Sequence, residues 1–375
     1  MAGPLTHLKV VEMAGLGPCP LAGQLLSDLG AQVTVIDRQT SELDVTDINR
    51  RGKRSIALNI KHELSKDIVQ RLLAESDVLI EGFRPGVMER LGLGPAQCQA
   101  INPQLIYGRL TGWGQDGPLA KTAGHDINYL ALTGALACMG TKDSGPIPPI
   151  NLAADYAGGS LFLVMGVLSA LYERARSGKG QVIDAAMIDG VPAMMGLIHQ
   201  WYAQGSWTTQ PENNLLDGAA PFYRCYQTKD AKFMSVGALE PRFFKELIRL
   251  LELPMTMVDE QNDRAHWSIH IKQLSATFLS KTQEQWTEHF SHSEACVAPV
   301  LTFDDARLHP QNHHRRVFQT YEGVQQASPA PRFSRTQANS IAPVSAKGQH
   351  TQQVLAELGL SDDTIQTINQ SDALT

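Results

Sequence analysis

The chain has 375 residues, with 32 Lys and Arg against 38 Asp and Glu, a net charge of −6, 43% hydrophobic residues and 19% charged ones. That is enough apolar material for a large core and too much chain for one small one, so two domains or one elaborate domain are expected. A net acidic balance offers no footprint for nucleic acid. The five cysteines, Cys19, Cys98, Cys138, Cys225 and Cys296, form no CxxC pair, which argues against a disulfide framework or a zinc site and fits a reducing compartment. Met1-Ala-Gly-Pro lacks the regions of a signal peptide, Ala373-Leu-Thr is not a peroxisomal address, and the apolar run Leu161–Leu171 is too short to span a bilayer. A cytoplasmic protein without membrane attachment is expected.

In chain order, Leu8–Glu12 reads as a strand, Ala14–Pro20 as a Gly/Pro-rich loop, Leu21–Leu29 as a helix ended by Gly30, and Gln32–Ile36 as a second strand leading into Asp37-Arg38. This β-α-β unit predicts a parallel sheet. Gly15-x-Gly17 lacks the third glycine of a dinucleotide fingerprint, and Pro18 and Pro20 disfavour a phosphate-binding helix start there. Asn49-Arg-Arg-Gly-Lys-Arg54 is a basic turn suited either to phosphate or to solvent. Strand patterns recur at Ser55–Asn59, Asp77–Ile80 and Gln104–Tyr107. Ligands of open α/β sheets lie beyond the carboxyl ends of strands, so Arg38, Asn59-Ile60-Lys61 and Arg84 are placed to converge on one ligand.

Two stretches carry the chemistry. Ala123-Gly-His-Asp-Ile-Asn-Tyr129 offers His125, and Asn151–Gly159 offers Asp155 just before an apolar helix, Ser160–Arg176, that ends at Gly178. An imidazole, which titrates near neutrality, and a carboxylate on a separate element can face one carbon from opposite sides, removing a proton from one face and returning it to the other. Read alone, the histidine is more often a surface or satisfied core residue and the aspartate a helix cap.

Gln181–Asp184 then reads as a strand and Ala185–Tyr202 as a Met-rich helix. From Asn214 the texture changes: a strand at Lys232–Gly237, helices at Pro241–Leu251, Trp267–Phe278 and Gln283–Phe290, and strand character at Cys296–Leu301. This predicts a smaller α/β domain over residues 215–310, set between two parts of a larger one, 1–190 and 320–375, with 191–214 and 311–319 as linkers. Residues 310–350 suit an extended return, and Thr351–Leu358 a last short helix.

The chain resembles the family III CoA transferases and, within them, the α-methylacyl-CoA racemase branch. The resemblance runs along nearly the whole sequence, best from Pro4 to Leu251. It rests on Arg109-Leu-Thr-Gly-Trp-Gly-Gln-Asp-Gly-Pro118, Gly178-Lys-Gly-Gln-Val-Ile-Asp184, Ala295-Cys-Val-Ala-Pro-Val300, Asn214-Leu-Leu-Asp-Gly-Ala-Ala-Pro-Phe-Tyr223, Gly237-Ala-Leu-Glu240 and above all Gly124-His-Asp-Ile-Asn-Tyr129. At that last site the transferases generally lack the histidine. The resemblance implies a Rossmann-like large domain with a parallel sheet, a smaller α/β domain, and two chains interlocked as a homodimer. It implies an acyl-CoA substrate that brings its own CoA, with no further cofactor and no metal.

Carried over residue by residue, CoA falls on Arg38, Leu58, Asn59, Ile60, Lys61, Gly82, Phe83, Arg84 and Arg90. Gly124, Asp126, Ile127, Asn128 and Tyr129 fall at the thioester end. His125 and Asp155 are the catalytic pair, and Glu240 orients His125. Phe83 stands where tyrosine is common. The implied reaction inverts the α-carbon of a 2-methylacyl-CoA through an enolate, which backbone N–H groups after His125 or at the start of the Asp155 helix would stabilise. The alternative within the family is CoA transfer, with Asp155 as nucleophile in a covalent aspartyl thioester.

Overall fold

The structure, a computed structural model, describes residues 3–336 and 341–374. The expected domain limits at 1 and 375, and the middle of the expected return at 337–340, lie outside them. The chain divides into two compact units: Met1–Thr133 with Ile150–Met194 and Gln311–Thr375, and Gly134–Pro149 with Met195–Pro310. Gly134–Pro149, which the sequence reading puts in the large domain, thus belongs to the second unit. The expected helix Ala185–Tyr202 is split into Met187–Met194 and Gly196–Ala203, and the chain changes unit at the break.

The first unit is built on six parallel strands: β1 (Lys9–Met13), β2 (Gln32–Asp37), β3 (Arg54–Ala57), β4 (Val78–Glu81), β5 (Ile106–Thr111) and β6 (Val182–Ala186), in the order β3-β2-β1-β4-β5-β6. β2, β4 and β5 are buried along almost their whole length, as near-continuous runs of Val, Ile and Leu require of strands covered on both faces. The helices flanking them include α1 (Pro18–Asp28), α2 (Glu63–Ala74) and α3 (Val87–Arg90). α1 starts three residues earlier than the sequence reading placed it, because the fixed φ of proline and its missing N–H suit the first turn of a helix.

Further on come α4 (Asp126–Leu132), α5 (Phe162–Ser177) and α6 (Met187–Met194). α5 continues without interruption from a π-helical segment, Leu152–Leu161. The helical run is therefore longer than the sequence suggested, and by length and composition alone it is apolar enough to cross a membrane. One face of it is core: Leu163 and Val167 are fully buried, and a β-carbon at Gly108 of β5 would sit 2.7 Å from Leu163 Cδ1. Leu161, Met165, Leu168 and Tyr172 on the other face are exposed.

The basic turn before β3 serves neither phosphate nor solvent. Lys53 Nζ meets Glu12 Oε2 at 2.6 Å and the Pro20 carbonyl at 2.8 Å, Arg50 chelates Asp37, and Arg51 chelates Asp28. All six side chains are buried. Gly23 leaves room for the first of these pairs, since a side chain there would collide with the Glu12 carboxylate.

The outer edge of β3 is closed by the end of the chain. Pro343 O accepts from Gly52 N, His350 Nδ1 from Ser55 N, Thr351 Oγ1 from Ala57 N and Ala373 O from Asn59 N. A helix at Asp362–Gln370 follows the expected last one.

The second unit has a three-stranded antiparallel sheet (Tyr223–Gln227, Phe233–Gly237, Val297–Pro299) covered by Pro241–Leu250, Arg264–Phe278 and Gln283–His289. Its core is aromatic, with Tyr226 stacked on Phe278 at 5.0 Å and Trp286 packed beside them.

Breaking a buried ion pair from one side leaves an uncompensated charge. Lys53→Met is expected to lower the unfolding free energy by about 3–5 kcal/mol, with Glu12→Gln added to it restoring part of the loss. Urea denaturation of the single and double variants checks this, and equal midpoints for the two would refute it.

Candidate active site

The strand order reverses between β1 and β4, and the loops leaving their carboxyl ends open a crevice there, where open α/β sheets bind ligands. The loop after β1 turns at Gly17 (φ 66°, ψ −112°), a conformation that side chains disfavour. It passes close to Asp155: a β-carbon at Gly17 would lie 3.7 Å from Oδ2.

The loop after β4, Gly82–Pro85, is braced from below. The buried Glu81 accepts from Phe83 N (2.7 Å) and from Arg109 Nε (3.0 Å), and Arg109 reaches on to Glu89 of α3 (2.8 Å). Burial pushes the Glu81 carboxyl up, against the pull of the Phe83 amide and Arg109. β5 runs out into Gly112 and Trp113. The Tyr129 ring fills the space where a Gly112 side chain would stand, meets Trp113 edge-on at 4.8 Å, and donates its hydroxyl to Gly124 O. Burial first, and then Asp155, push the Tyr129 phenol up to about 12. It therefore stays a neutral donor that fixes the 124–125 backbone.

These elements enclose a cavity of about 340 Å³. His125 and Asp155 both line it, with Gly82, Phe83, Arg84, Gly124 and Tyr129. His125 is exposed just ahead of α4, and its backbone N–H is held by Asn128 Oδ1 at 3.0 Å. Asp155 lies in the first turn of the π-helical segment, where the helix dipole favours a carboxylate. Its carboxyl is nevertheless held above the usual range, by burial first and the charge of Asp126 second, against the opposing pull of His125 and a bond from Asn151.

The segment itself is fixed at both ends. Ala154 N and Asp155 N donate to Asp126 Oδ2 at 2.9 and 2.8 Å, and Ser160 Oγ lies 2.7 Å from Pro18 O and 3.2 Å from Asp155 O. Gly158 and Gly190 allow the segment and α6 to pack backbone to backbone, since a β-carbon at Gly190 would overlap Gly158 O. An imidazole and a protonatable carboxyl in one cavity, on two braced elements, can hand protons to and from a single bound carbon.

The remaining expected residues are distributed unevenly. Arg38 follows β2, and its guanidinium carbon is 5.9 Å from the centre of the Phe83 ring, which joins it to the Gly82–Arg84 loop. Arg90 ends α3 and packs back towards Gly86. The Leu58 side chain is fully buried in the core, and the half-buried Ile60 packs against that core. The Asn59 amide group donates to Asp372 O and its oxygen accepts from Lys61 N, while Lys61 is exposed. Asp126 is buried, whereas Ile127 and Asn128 are exposed outside the cavity lining. Glu240 precedes Pro241–Leu250 on the second unit, where Gln261 Nε2 holds the preceding carbonyl, Leu239 O, at 2.9 Å.

Gly17, Trp113, Met187 and Cys19 also line the cavity; of these the sequence points to Met187 alone, as part of a Met-rich surface able to accept an acyl chain. The first three sit in turns or in a strand-to-helix junction directly after strands, and that position was the available signal.

The chain matches the model of CoA-transferase family III over residues 5–351. It is 43% identical to an α-methylacyl-CoA racemase of Mus musculus over 364 residues, 96% of this chain and 95% of that one. It is 42% identical to an α-methylacyl-CoA racemase of Homo sapiens, over 97% and 96%. A crystal structure of a CaiB/BaiF family protein from Brucella suis superposes with a TM-score of 0.79 at 28% identity, covering 96% of this chain and all of that one. A Rossmann-like unit with its crevice at the switch point, and matches of this extent, lead to one conclusion: the chain belongs to CoA-transferase family III.

Proposed function

We propose that the protein is an α-methylacyl-CoA racemase, inverting the α-carbon of 2-methylacyl-CoA thioesters by proton transfer between His125, Asp155 and the substrate. The observation that carries this reading is the shared cavity: an imidazole and a carboxyl whose proton affinity is raised by burial and by Asp126. High identity to racemases along the whole chain supports it.

In one direction Asp155 takes the α-proton as carboxylate, and protonated His125 returns a proton to the opposite face. In the other direction neutral His125 is the base and the Asp155 carboxyl the donor. The bond electrons move into the thioester as an enolate, and its oxygen needs donors. The amides at 154 and 155 are bound to Asp126, and those of Asn128 and Tyr129 to His125 O, so the N–H groups of Asp126 and Ile127, directly after His125, are the donors we assign to it. Chemistry of this kind asks for no cofactor beyond the CoA of the substrate.

Arg38 and Arg84 on neighbouring strand-end loops would take the CoA phosphates, with Lys61 and Arg90 flanking them. Glu240 is assigned, by resemblance, the role of orienting His125. A homodimer completes the proposal, with a second copy covering the apolar outer face of α5 at Leu161, Met165, Leu168 and Tyr172.

The family's other chemistry, CoA transfer through an Asp155 thioester, uses the same aspartate and gives His125 no role. Incubating one enantiomer of 2-methyldecanoyl-CoA in D2O without an acceptor acid separates the two. Deuterium at the α-carbon with loss of optical purity supports the racemase. No exchange, with CoA transfer once a free acid is added, overturns it.

His125→Ala and Asp155→Ala are each expected to slow exchange by about 10²–10⁴-fold, and full activity in either variant would sink the mechanism. Arg84→Ala is expected to raise KM for the thioester by roughly 10-fold or more while leaving kcat close to wild type, as the loss of a charge-assisted contact made equally in ground and transition states. Steady-state kinetics reads that split.

A further inference from the structure

The first backbone N–H groups of a helix have no partner inside it and need one outside. At the start of the Asp155 helix, two of them, Ala154 N–H and Asp155 N–H, converge on a single oxygen of Asp126. Asp126 is only 6% exposed and is the residue after His125. Its second oxygen, Oδ1, is buried and has no hydrogen-bond partner. A buried carboxylate ordinarily fills both oxygens, and one that does not calls for a reason. Stability alone would be served as well by a neutral cap such as Ser or Asn. What a carboxylate adds is a negative charge beside Asp155, delivered from the residue adjoining its partner.

Resting on the racemase reading, we infer that Asp126 is a positioning residue: its two backbone hydrogen bonds tie the start of the Asp155 helix to the residue following His125, and so fix the spacing of the two groups that exchange protons with the α-carbon. The same carboxylate acts on the proton affinity of Asp155. The groups around that carboxyl are the ionisable His125, Asp126 and Tyr129 on and before α4, with Arg84 on the loop after β4 acting on Tyr129, and the neutral amide of Asn151 donating from just ahead of the segment. Among these only Asp126 is an acidic neighbour acting directly on Asp155. Removing its charge lets the Asp155 carboxyl ionise at lower pH. In the direction where Asp155 is the proton donor, the protonated fraction at neutral pH then falls. In the reverse direction the acid limb of the rate profile moves to lower pH.

Two substitutions separate spacing from charge. Asp126→Asn keeps the shape and one acceptor oxygen; Asp126→Ala removes the tether. With 2-methyldecanoyl-CoA in D2O, Asp126→Ala is expected to lose about 100-fold in kcat with little change in KM, and Asp126→Asn to recover most of that while its acid limb shifts to lower pH. A kcat for Asp126→Ala within about threefold of wild type, with an unmoved limb in Asp126→Asn, overturns the inference. A wild-type protein that exchanges no α-proton fails the racemase reading instead. In that event the titration of the Asp155 carboxyl, followed by ¹³C NMR in ¹³C-Asp-labelled protein and assigned with Asp155→Asn, still decides the matter. A lower midpoint in Asp126→Asn than in wild type upholds the role of Asp126, and an identical midpoint refutes it.

Discussion

A parallel sheet buried on both faces can meet a ligand only at its rim, and the rest of the first unit follows from that constraint. Strands β1, β2, β4 and β5 are almost wholly covered, so the site gathers beyond their carboxyl ends. The reversal of strand order at β1 and β4 separates two loops and leaves the crevice between them. The cavity holding His125 and Asp155 is that crevice, extended by the π-helical segment and by the Tyr129 ring.

Such a rim holds functional groups in place only if its loops are stiff, and ion pairs provide the stiffness below it. Glu12 with Lys53 anchors the loop that starts α1 through the Pro20 carbonyl. Glu81 with Arg109 and Glu89 anchors the loop carrying Phe83 and Arg84. Buried pairs of this sort contribute little net stability when complete and cost about 3–5 kcal/mol when half removed. They act more as geometric specification than as cohesion, which suits a site where small displacements matter.

The sequence made the sheet legible because buried strands are runs of β-branched and apolar residues bounded by glycine, and it made His125 and Asp155 legible because both sit at helix starts beside small residues. What it concealed was pairing. Asn49–Arg54 reads as a phosphate or solvent turn because nothing local announces that Glu12, Asp28 and Asp37 wait for it across the sheet. The fully buried side chain of Leu58 followed a family position in which backbone and side chain cannot be told apart from a string of letters. The helix at 185–202 reads as continuous because a proline in the first half, Pro192, is tolerated inside Met187–Met194 and the break comes after it. The π-helical wind before α5 has no signature beyond Gly158-Gly159, whose small size serves the contact with α6 as much as the winding.

The closure of β3 by the end of the chain bears on how the protein is made. β3 is an edge strand, and the outward N–H groups at 52, 55, 57 and 59, in it and beside it, find partners among the described residues at 343, 350, 351 and 373. On a ribosome, β1, β2 and β3 emerge together, long before those partners exist. Through most of synthesis the young sheet therefore carries an open hydrogen-bonding edge, the feature that invites pairing between chains. Synthesis of residues 343 to 373 removes that hazard stepwise, and a chain cut short before residue 343 would keep it.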